Sequence, residues 1–515
     1  MLSPMSSDVE RASAPPGSTR SGSSAAVTSR PPRAQSLWRA LLLLALLTGI
    51  AVRVWAVVNP SSQINSDNAI EGLMAVRLLR DGSFPAFFWG QAYGGTVELL
   101  PVAGVMWLVG ERAVAIQLVQ FGEGLLQAVI VWRIGLRILG PQRAALAGML
   151  VWVFPAAFIL VQGTPYLFYE STAVCGLLVM LLALRVVDRP SDRLSWAAMG
   201  LAGGVAFWSS PLSLLFLVPV SLWLLARLRT RARYAWPAVL PAVLGATPWL
   251  VANVRSGWTS LVPAVVPDGP ADRLRVMVRA GLPTTLGLRV PLSEAWIFPG
   301  ARWVYVLVCL ALLAALLPAV RRSSLHLVVL LTFPFIFAAT PVVSALDNGR
   351  YYIYLAGPLA LALSSLTPTL VARAGVLTAC TVLTVIGVWR APGTQLPLPP
   401  TGPVTALLAS RGVSHAYGGY WTAYKLTWES SESVICTPMY FVRDRQYDQA
   451  VAASDRVALI YNILPGEPVK AAGMRAFLVR TGVRFEEVKA GGYTVFLPER
   501  AIHKGQIPPE GFAIP

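Results

Sequence analysis

Charge is scarce in this chain. Asp, Glu, Lys and Arg make up 13% of its 515 residues, against about 25% in soluble globular proteins. That shortage excludes a soluble enzyme, a disordered polymer and a coiled coil. Lysine is rarer still: four of the 42 basic residues, a usage that points to a GC-rich bacterial genome. The four cysteines, Cys175, Cys309, Cys380 and Cys436, form no C-x-x-C and suggest no disulfide pair. The three histidines, His326, His415 and His503, share no ligand spacing, which argues against a zinc site. No Gly-Lys-Ser/Thr follows the glycine-rich turn at 90–95, so a phosphate-binding P-loop is absent.

Apolar residues fill the space that charge leaves. The chain is 55% hydrophobic, with a mean hydropathy of +0.60, as befits a polytopic membrane protein. The net charge of +17 is not arranged for nucleic acid, since no dense basic block with interleaved aromatics occurs. Lys and Arg gather instead at the ends of apolar runs, where they fix membrane orientation.

Residues 1–36, rich in Ser, Pro, Ala and Arg, read as a disordered cytoplasmic tail. Leu37–Val58 reads as an uncleaved first span. Further apolar runs lie near 113–134, 144–162, 167–187, 194–209, 211–227, 235–254, 303–320, 325–343, 353–371 and 373–390. Arginines follow the runs ending near 134, 187, 227 and 320. If all are cytoplasmic, the short run 97–109 does not cross and is a surface or re-entrant helix. The expected count is eleven spans, N-terminus inside and C-terminus outside, with twelve as the alternative. On that topology ten of the thirteen acids between 59 and 392 face outside, as do the long loops 59–96 and 255–302. The spans offer little polarity beyond Glu123. Residues 393–515 regain charge and turn signals. Val457–Tyr461 and Tyr493–Leu497 read as strands, Val404–Arg411 and Val469–Thr481 as helices. The expected architecture is therefore an all-α polytopic membrane domain, 37–392, followed by a small extracytoplasmic α/β domain, 393–515. No long internal repeat favours a transporter.

The first outer loop carries the clearest chemistry. Ile70, Leu73, Met74 and Leu78 form one stripe of a short helix expected on the membrane surface. Asn68 and Glu71 fit a capping pair. Asp67 precedes that helix, near its positive end, where it is either a cap or a base at a lipid headgroup. Gly90, Gly94 and Gly95 surround Gln91 and Tyr93 and suit a tight turn that lets backbone approach a ligand. Glu98 opens the short apolar run as a helix-start acid or a site residue. Glu170 enters the outer end of a span, where a carboxylate is costly unless partnered or wet. Arg350, after Asp347-Asn348-Gly349 and before Tyr351-Tyr352, offers a planar fork for phosphate or an interfacial anchor.

Taken together, these features resemble the GT-C superfamily, polytopic glycosyltransferases that use polyprenyl-phosphate sugars. The similarity lies nearest the branch holding protein O-mannosyltransferases and the lipid A aminoarabinose transferase. It spans roughly 37–390 as pattern, with its specific part in 65–98, 163–172 and 347–358. Phe84–Tyr93 and Gly419–Tyr424 are similar to uncharacterised bacterial members. The resemblance implies an inverting transferase of the bacterial inner membrane, acting on its outer face. Asp67 would be the catalytic base and Glu170 the second acid. Arg350, Tyr351, Glu71, Gln91, Tyr93 and Glu98 would bind substrate. The donor would be a polyprenyl-phosphate sugar, and the acceptor an envelope glycan, lipid or protein. A divalent ion shared by Asp67 and Glu170 is left open. Two departures stand out: Asp67-Asn68 replaces the frequent Asp-Glu, and Gln91–Gly95 stands where relatives carry Lys-Pro-Pro, whose lysine helps hold the donor phosphate. A lipid-linked sugar flippase and a non-catalytic envelope-glycan binder remain alternatives.

Overall fold

The computed structural model describes residues 32–58, 64–163, 167–262, 269–322, 324–340, 350–391, 398–465 and 467–507. Most of the expected tail, Thr164–Tyr166, Asp268 and Asp347–Gly349 lie outside the described residues.

Helices dominate to residue 390. They run α1 (Pro32–Val58), α2 (Ser66–Asp81), α3 (Leu99–Val109), α4 (Ala113–Ile138), α5 (Pro141–Val153), α6 (Ala156–Gly163), α7 (Tyr169–Asp188) and α8 (Arg193–Ser209). Then come α9 (Leu214–Leu228), α10 (Val239–Ser256), α11 (Pro270–Val276), α12 (Leu282–Thr285), α13 (Ala301–Arg322), α14 (Leu325–Ala339), α15 (Ala356–Ser365) and α16 (Leu370–Arg390). Among the described residues five helical stretches are long and apolar enough to cross a bilayer, or six when α5 and α6, bent by 51°, count as one. Eleven were expected. Several of the expected runs do not each form one long helix among the described residues. The 144–162 run bends between α5 and α6, and the two runs 211–227 and 235–254 fall in one helical stretch of 46 residues, Pro211–Ser256, counted once although it is long enough for two crossings. The 353–371 run splits between a 3-10 turn, Arg350–Leu355, and α15. The 97–109 run forms α3, only 11 residues long, or about 16 Å. Helices close up where glycine permits: a Cβ on Gly204 or Gly245 would collide with backbone of the partner helix, which binds α8 to α10.

The C-terminal region is α/β. It contains α17 (Gly402–Ser410), β1 (His415–Gly418), α18 (Tyr420–Glu429), β2 (Ile435–Pro438), α19 (Arg445–Ala452), β3 (Val457–Tyr461), α20 (Glu467–Arg480), β4 (Phe485–Ala490) and β5 (Tyr493–Pro498). The sheet order is β2-β1-β3-β5-β4. β1 lies parallel to β2 and β3, while β5 is antiparallel to β3 and β4. Every residue of β3 is buried, as its unbroken apolar run requires of a central strand. Its side chains alternate between two cores. Val457, Leu459 and Tyr461 join α19 and α20 through Val451, Met474 and Leu478. Ala458 and Ile460 join α17 and α18 through Leu408 and Leu426.

This domain sits on α2. Gly72 of α2 faces the Trp428 ring of α18 at a distance that leaves no room for a Cβ. Arg77 pairs with Asp444 at 2.7 Å, its guanidinium 4.4 Å from the Trp89 ring and 4.6 Å from the Tyr447 ring. Arg80 bonds Glu432 and, at 3.1 Å, Glu111. The expected single apolar stripe on α2 is only part of its burial. Every residue of α2 from Asn68 to Val76 is buried, on its polar face as well as its apolar one, because α18 covers it opposite α3 and α4. The expected cap is corrected. Asn65 is the N-cap, reciprocally bonded with Asn68, so Asp67 lies inside the first turn and Glu71 plays no capping part.

Candidate active site

A cavity of about 170 Å³ opens where the membrane domain meets the C-terminal domain. Asp67, Gln91, Tyr93, Arg350 and Tyr351 line it, with Phe168, Tyr169 and Arg443. Six separate segments converge: the first turn of α2, the 88–95 loop, the start of α7, Ser210–Leu212 between α8 and α9, the 3-10 turn at 350–355, and the loop before α19.

Local bonding explains each placement. The 88–95 loop closes on itself through Phe88 N–H to Gly94 O at 2.8 Å and Gln91 N–H to Phe88 O at 3.1 Å. Gly90 (φ 66°) and Gly94 (φ 82°) supply the left-handed conformations. The close approach expected of these glycines is real, but their neighbours are protein. A Cβ on Gly90 would lie 2.8 Å from Arg443 Cα, and one on Gly95 would meet Ser209 Cα at 2.8 Å. Phe168 holds a left-handed φ of 70°, a conformation that costs about 1–3 kcal/mol. Glu98 offsets that strain by accepting from the N–H groups of Phe168 and Ser171, both at 2.9 Å. It caps α7 from a neighbouring segment, at the helix end that favours negative charge.

Asp67 is oriented from both sides. Its N–H donates to Asn65 Oδ1 at 2.9 Å, and its Oδ1 accepts from the Tyr420 hydroxyl. Burial and the neighbouring Asp67 charge both push the Tyr420 hydroxyl pKa well up, so it keeps its proton and donates. Arg443 Nε donates to the same hydroxyl at 3.1 Å. With the Gln91 amide turned to satisfy its neighbours, Gln91 Oε1 accepts from Arg443 Nη1 at 2.9 Å and Nη2 at 3.2 Å. Arg350 Nη2 donates to the Tyr351 hydroxyl at 3.1 Å, with the guanidinium 5.0 Å from that ring and 5.9 Å from the Tyr169 ring. Burial, with the nearby Tyr351, raises the Tyr93 hydroxyl despite the opposing pull of Arg443 and Arg350. One carboxylate and two guanidinium groups thus share a small cavity walled by aromatic rings. Such a set can accept a proton at one point while holding an oxyanion at another.

Three expected site residues are elsewhere. Glu71, Glu98 and Glu170 do not line the cavity. They lie behind its floor, in a buried polar layer. Glu98 also accepts from Gln120 at 3.1 Å, Glu170 accepts from Gln127, and both Glu71 oxygens lack a hydrogen-bond partner among the described residues. Burial and the nearby Glu98 push the Glu71 carboxyl well above the ordinary range. A divalent ion shared by Asp67 and Glu170 therefore finds no support. Among the described residues no three His, Cys, Asp or Glu side chains are grouped to hold a metal.

The expectation of a nearly apolar membrane interior is also corrected. Arg53 of α1 is buried against Trp152, its guanidinium 3.7 Å from the ring. It donates to Trp152 O at 2.8 Å and to Gln162 Oε1 at 3.0 Å. Gln117, Gln120 and Gln127 recur on the buried face of α4. Each span supplies only a few such groups, so the layer is hidden until the helices pack. The glutamine spacing on α4 was the signal available. Arg443, Tyr420 and Tyr169 were missed as site residues, although Tyr169 and Tyr420 fell within stretches singled out beforehand, 163–172 and Gly419–Tyr424.

Residues 100–251 match the family model of dolichyl-phosphate-mannose-protein mannosyltransferases. No curated protein matches the sequence significantly. Among solved structures the chain is similar to apo ArnT from Cupriavidus metallidurans, with TM-score 0.61 and 11% identity over 90% of this chain and 98% of that one. It is similar to the same protein bound to undecaprenyl phosphate, with TM-score 0.58 and 11% identity over 90% and 97%. The oligosaccharyltransferase of Archaeoglobus fulgidus, solved in complex with Zn and sulfate, gives TM-score 0.50 and 10% identity over 91% and 74%.

Proposed function

We propose that this multi-pass membrane protein, whose fold is similar to that of ArnT and whose residues 100–251 match a mannosyltransferase family model, is an inverting glycosyltransferase of the GT-C type. It takes a sugar from a polyprenyl-phosphate donor and passes it to an acceptor hydroxyl at the outer face of the bacterial inner membrane. The observation that carries this reading is the shared cavity, in which the Asp67 carboxylate and the Arg350 guanidinium face the same space. Similarity to a structure with bound undecaprenyl phosphate adds support for a lipid-phosphate donor.

In this mechanism Asp67 takes the proton from the acceptor hydroxyl as that oxygen attacks the anomeric carbon. The bond from that carbon to the phosphate oxygen breaks, through an oxocarbenium-like transition state of the kind glycosidases use. The electron pair leaves with the lipid phosphate, and Arg350 stabilises its growing charge. Tyr420 holds Asp67 Oδ1 as a positioning residue, which leaves Oδ2 for the acceptor. A cavity this size is smaller than the ~300–1,000 Å³ of typical ligand pockets. It suits a phosphate and the reacting end of a sugar, with the polyprenyl tail left in the bilayer.

The test is a pair of variants, Asp67→Asn and Arg350→Ala, assayed for transfer from a polyprenyl-phosphate sugar. Loss of a positioned base is expected to slow transfer by about 10²–10⁴-fold. Full activity in both variants would sink the assignment. Movement of the lipid-linked sugar without transfer would replace it with the flippase reading.

A further inference from the structure

Resting on the lipid-phosphate reading above, we propose that Arg443 of the C-terminal domain is a second phosphate-holding residue, so that the donor site is complete only when that domain is docked. Arg443 lines the same cavity as Arg350 but enters it from the opposite side of the domain junction. Its hydrogen bonds go to neutral groups, the Tyr420 hydroxyl and the Gln91 amide oxygen. The Phe88 and Tyr420 rings flank it at 5.7 and 5.6 Å. Among the described residues it forms no ion pair, whereas Arg77, only a short distance away through Asp444, is paired at 2.7 Å. A half-buried guanidinium held in place and, among the described residues, in no direct ion pair can take a phosphate oxygen.

Its position is set by the fold. The Tyr424 hydroxyl accepts from the backbone N–H groups of Arg443 at 2.6 Å and Asp444 at 3.1 Å. The Asp444 side chain caps α19 and pairs with Arg77 of α2. Gly90 lets the backbone of the outer loop lie directly against Arg443 Cα. These contacts orient the side chain before any ligand arrives, so little ordering is required on binding. The same side chain donates to Tyr420, which donates to Asp67. A phosphate on Arg443 would therefore sit one hydroxyl away from the base, joining donor binding to the orientation of Asp67.

The test compares binding of undecaprenyl phosphate and uncharged undecaprenol to the full-length protein in nanodiscs, for wild type, Arg443→Gln, Arg443→Lys and Arg350→Ala. Melting temperatures are measured alongside. Wild type is expected to prefer the phosphate. Arg443→Gln should bind it about 10–100-fold more weakly, the range for a lost charge-assisted hydrogen bond, with undecaprenol binding unchanged. Arg443→Lys should recover part of the preference. If Arg443→Gln keeps wild-type preference while Arg350→Ala loses it, the inference falls and the donor reading stands. If wild type does not discriminate phosphate from alcohol, the donor reading falls and takes the inference with it. If Arg443→Gln melts early, Arg443→Lys decides. A lysine variant that melts normally but binds like the glutamine variant overturns a role based on charge.

Discussion

At the scale of single residues, the cavity separates groups that hold position from groups that react. Tyr420→Phe removes the donor to Asp67 Oδ1 without touching the carboxylate. It should lower kcat by about tenfold, the rough equivalent of one hydrogen bond, and leave KM nearly unchanged; steady-state kinetics across pH checks this. A drop confined to KM would argue that Tyr420 contacts donor or acceptor directly. Glu71 makes a different prediction. Its carboxyl is raised by burial and by Glu98, so its protonated form favours the fold. That contribution is intact below the ordinary carboxylate range and is lost as pH rises through the raised folded-state value, at up to about 1.4 kcal/mol per pH unit. Glu71→Gln escapes this loss, so its melting curve should separate upward from wild type as pH increases from 4 to 8. Parallel curves would contradict the assignment. The sequence made Asp67, Gln91, Tyr93, Arg350 and Tyr351 legible because they sit beside turns and span ends. It did not distinguish them from Glu71, Glu98 and Glu170. All these carboxylates lie at similar chain positions relative to the spans, and only packing decides which face the cavity and which lie behind it. Arg443 was invisible for a related reason: nothing near it in sequence signals that its loop reaches back to Gly90.

At the scale of elements, the pairing of α2 with α18 builds the site. The N-terminal turn of α2 carries Asp67, α18 carries Tyr420, and Gly72 against Trp428 sets how close the two helices come. Gly72→Val adds bulk where a Cβ already falls 2.7 Å from the indole ring. Overpacking of this kind costs about 1–3 kcal/mol. The variant should melt earlier and lose activity, and Trp428→Ala in the same chain should recover part of the lost stability. Failure of the second change to compensate would place the damage elsewhere. In the C-terminal domain periodicity made β3, β5, α17 and α20 readable, while β1, β2, β4, α18 and α19 were not anticipated. The strand Val457–Tyr461 was anticipated to the residue, since a short apolar β-branched run flanked by turns has few other options. The apolar runs of the membrane domain were less readable. Hydropathy registers composition, and it does not register a bend such as the 51° one between α5 and α6 inside the 144–162 run.

At the scale of the whole molecule, a bundle of apolar helices supports a small α/β domain, and the candidate site lies in the seam between them. Neither part holds it alone: Asp67 and Arg350 come from one, Tyr420 and Arg443 from the other. The outer-face orientation rests on the arginine distribution. A cysteine introduced at exposed Val469 should react with a membrane-impermeant maleimide in intact spheroplasts; labelling only after lysis would reverse the orientation. The missing Lys-Pro-Pro motif is also a whole-molecule matter. A cation absent from the first loop is not replaced nearby in sequence, yet the docked domain brings Arg443 against that loop. The measurement that bears most directly on the central claim is lipid and glycan profiling of a strain lacking the protein, complemented with wild type or Asp67→Asn. The account predicts that the deletion strain accumulates a polyprenyl-phosphate sugar and loses the matching sugar from an envelope molecule, and that wild type reverses both changes while Asp67→Asn reverses neither. Full restoration by Asp67→Asn, or an unchanged lipid and glycan profile in the deletion strain, would contradict it.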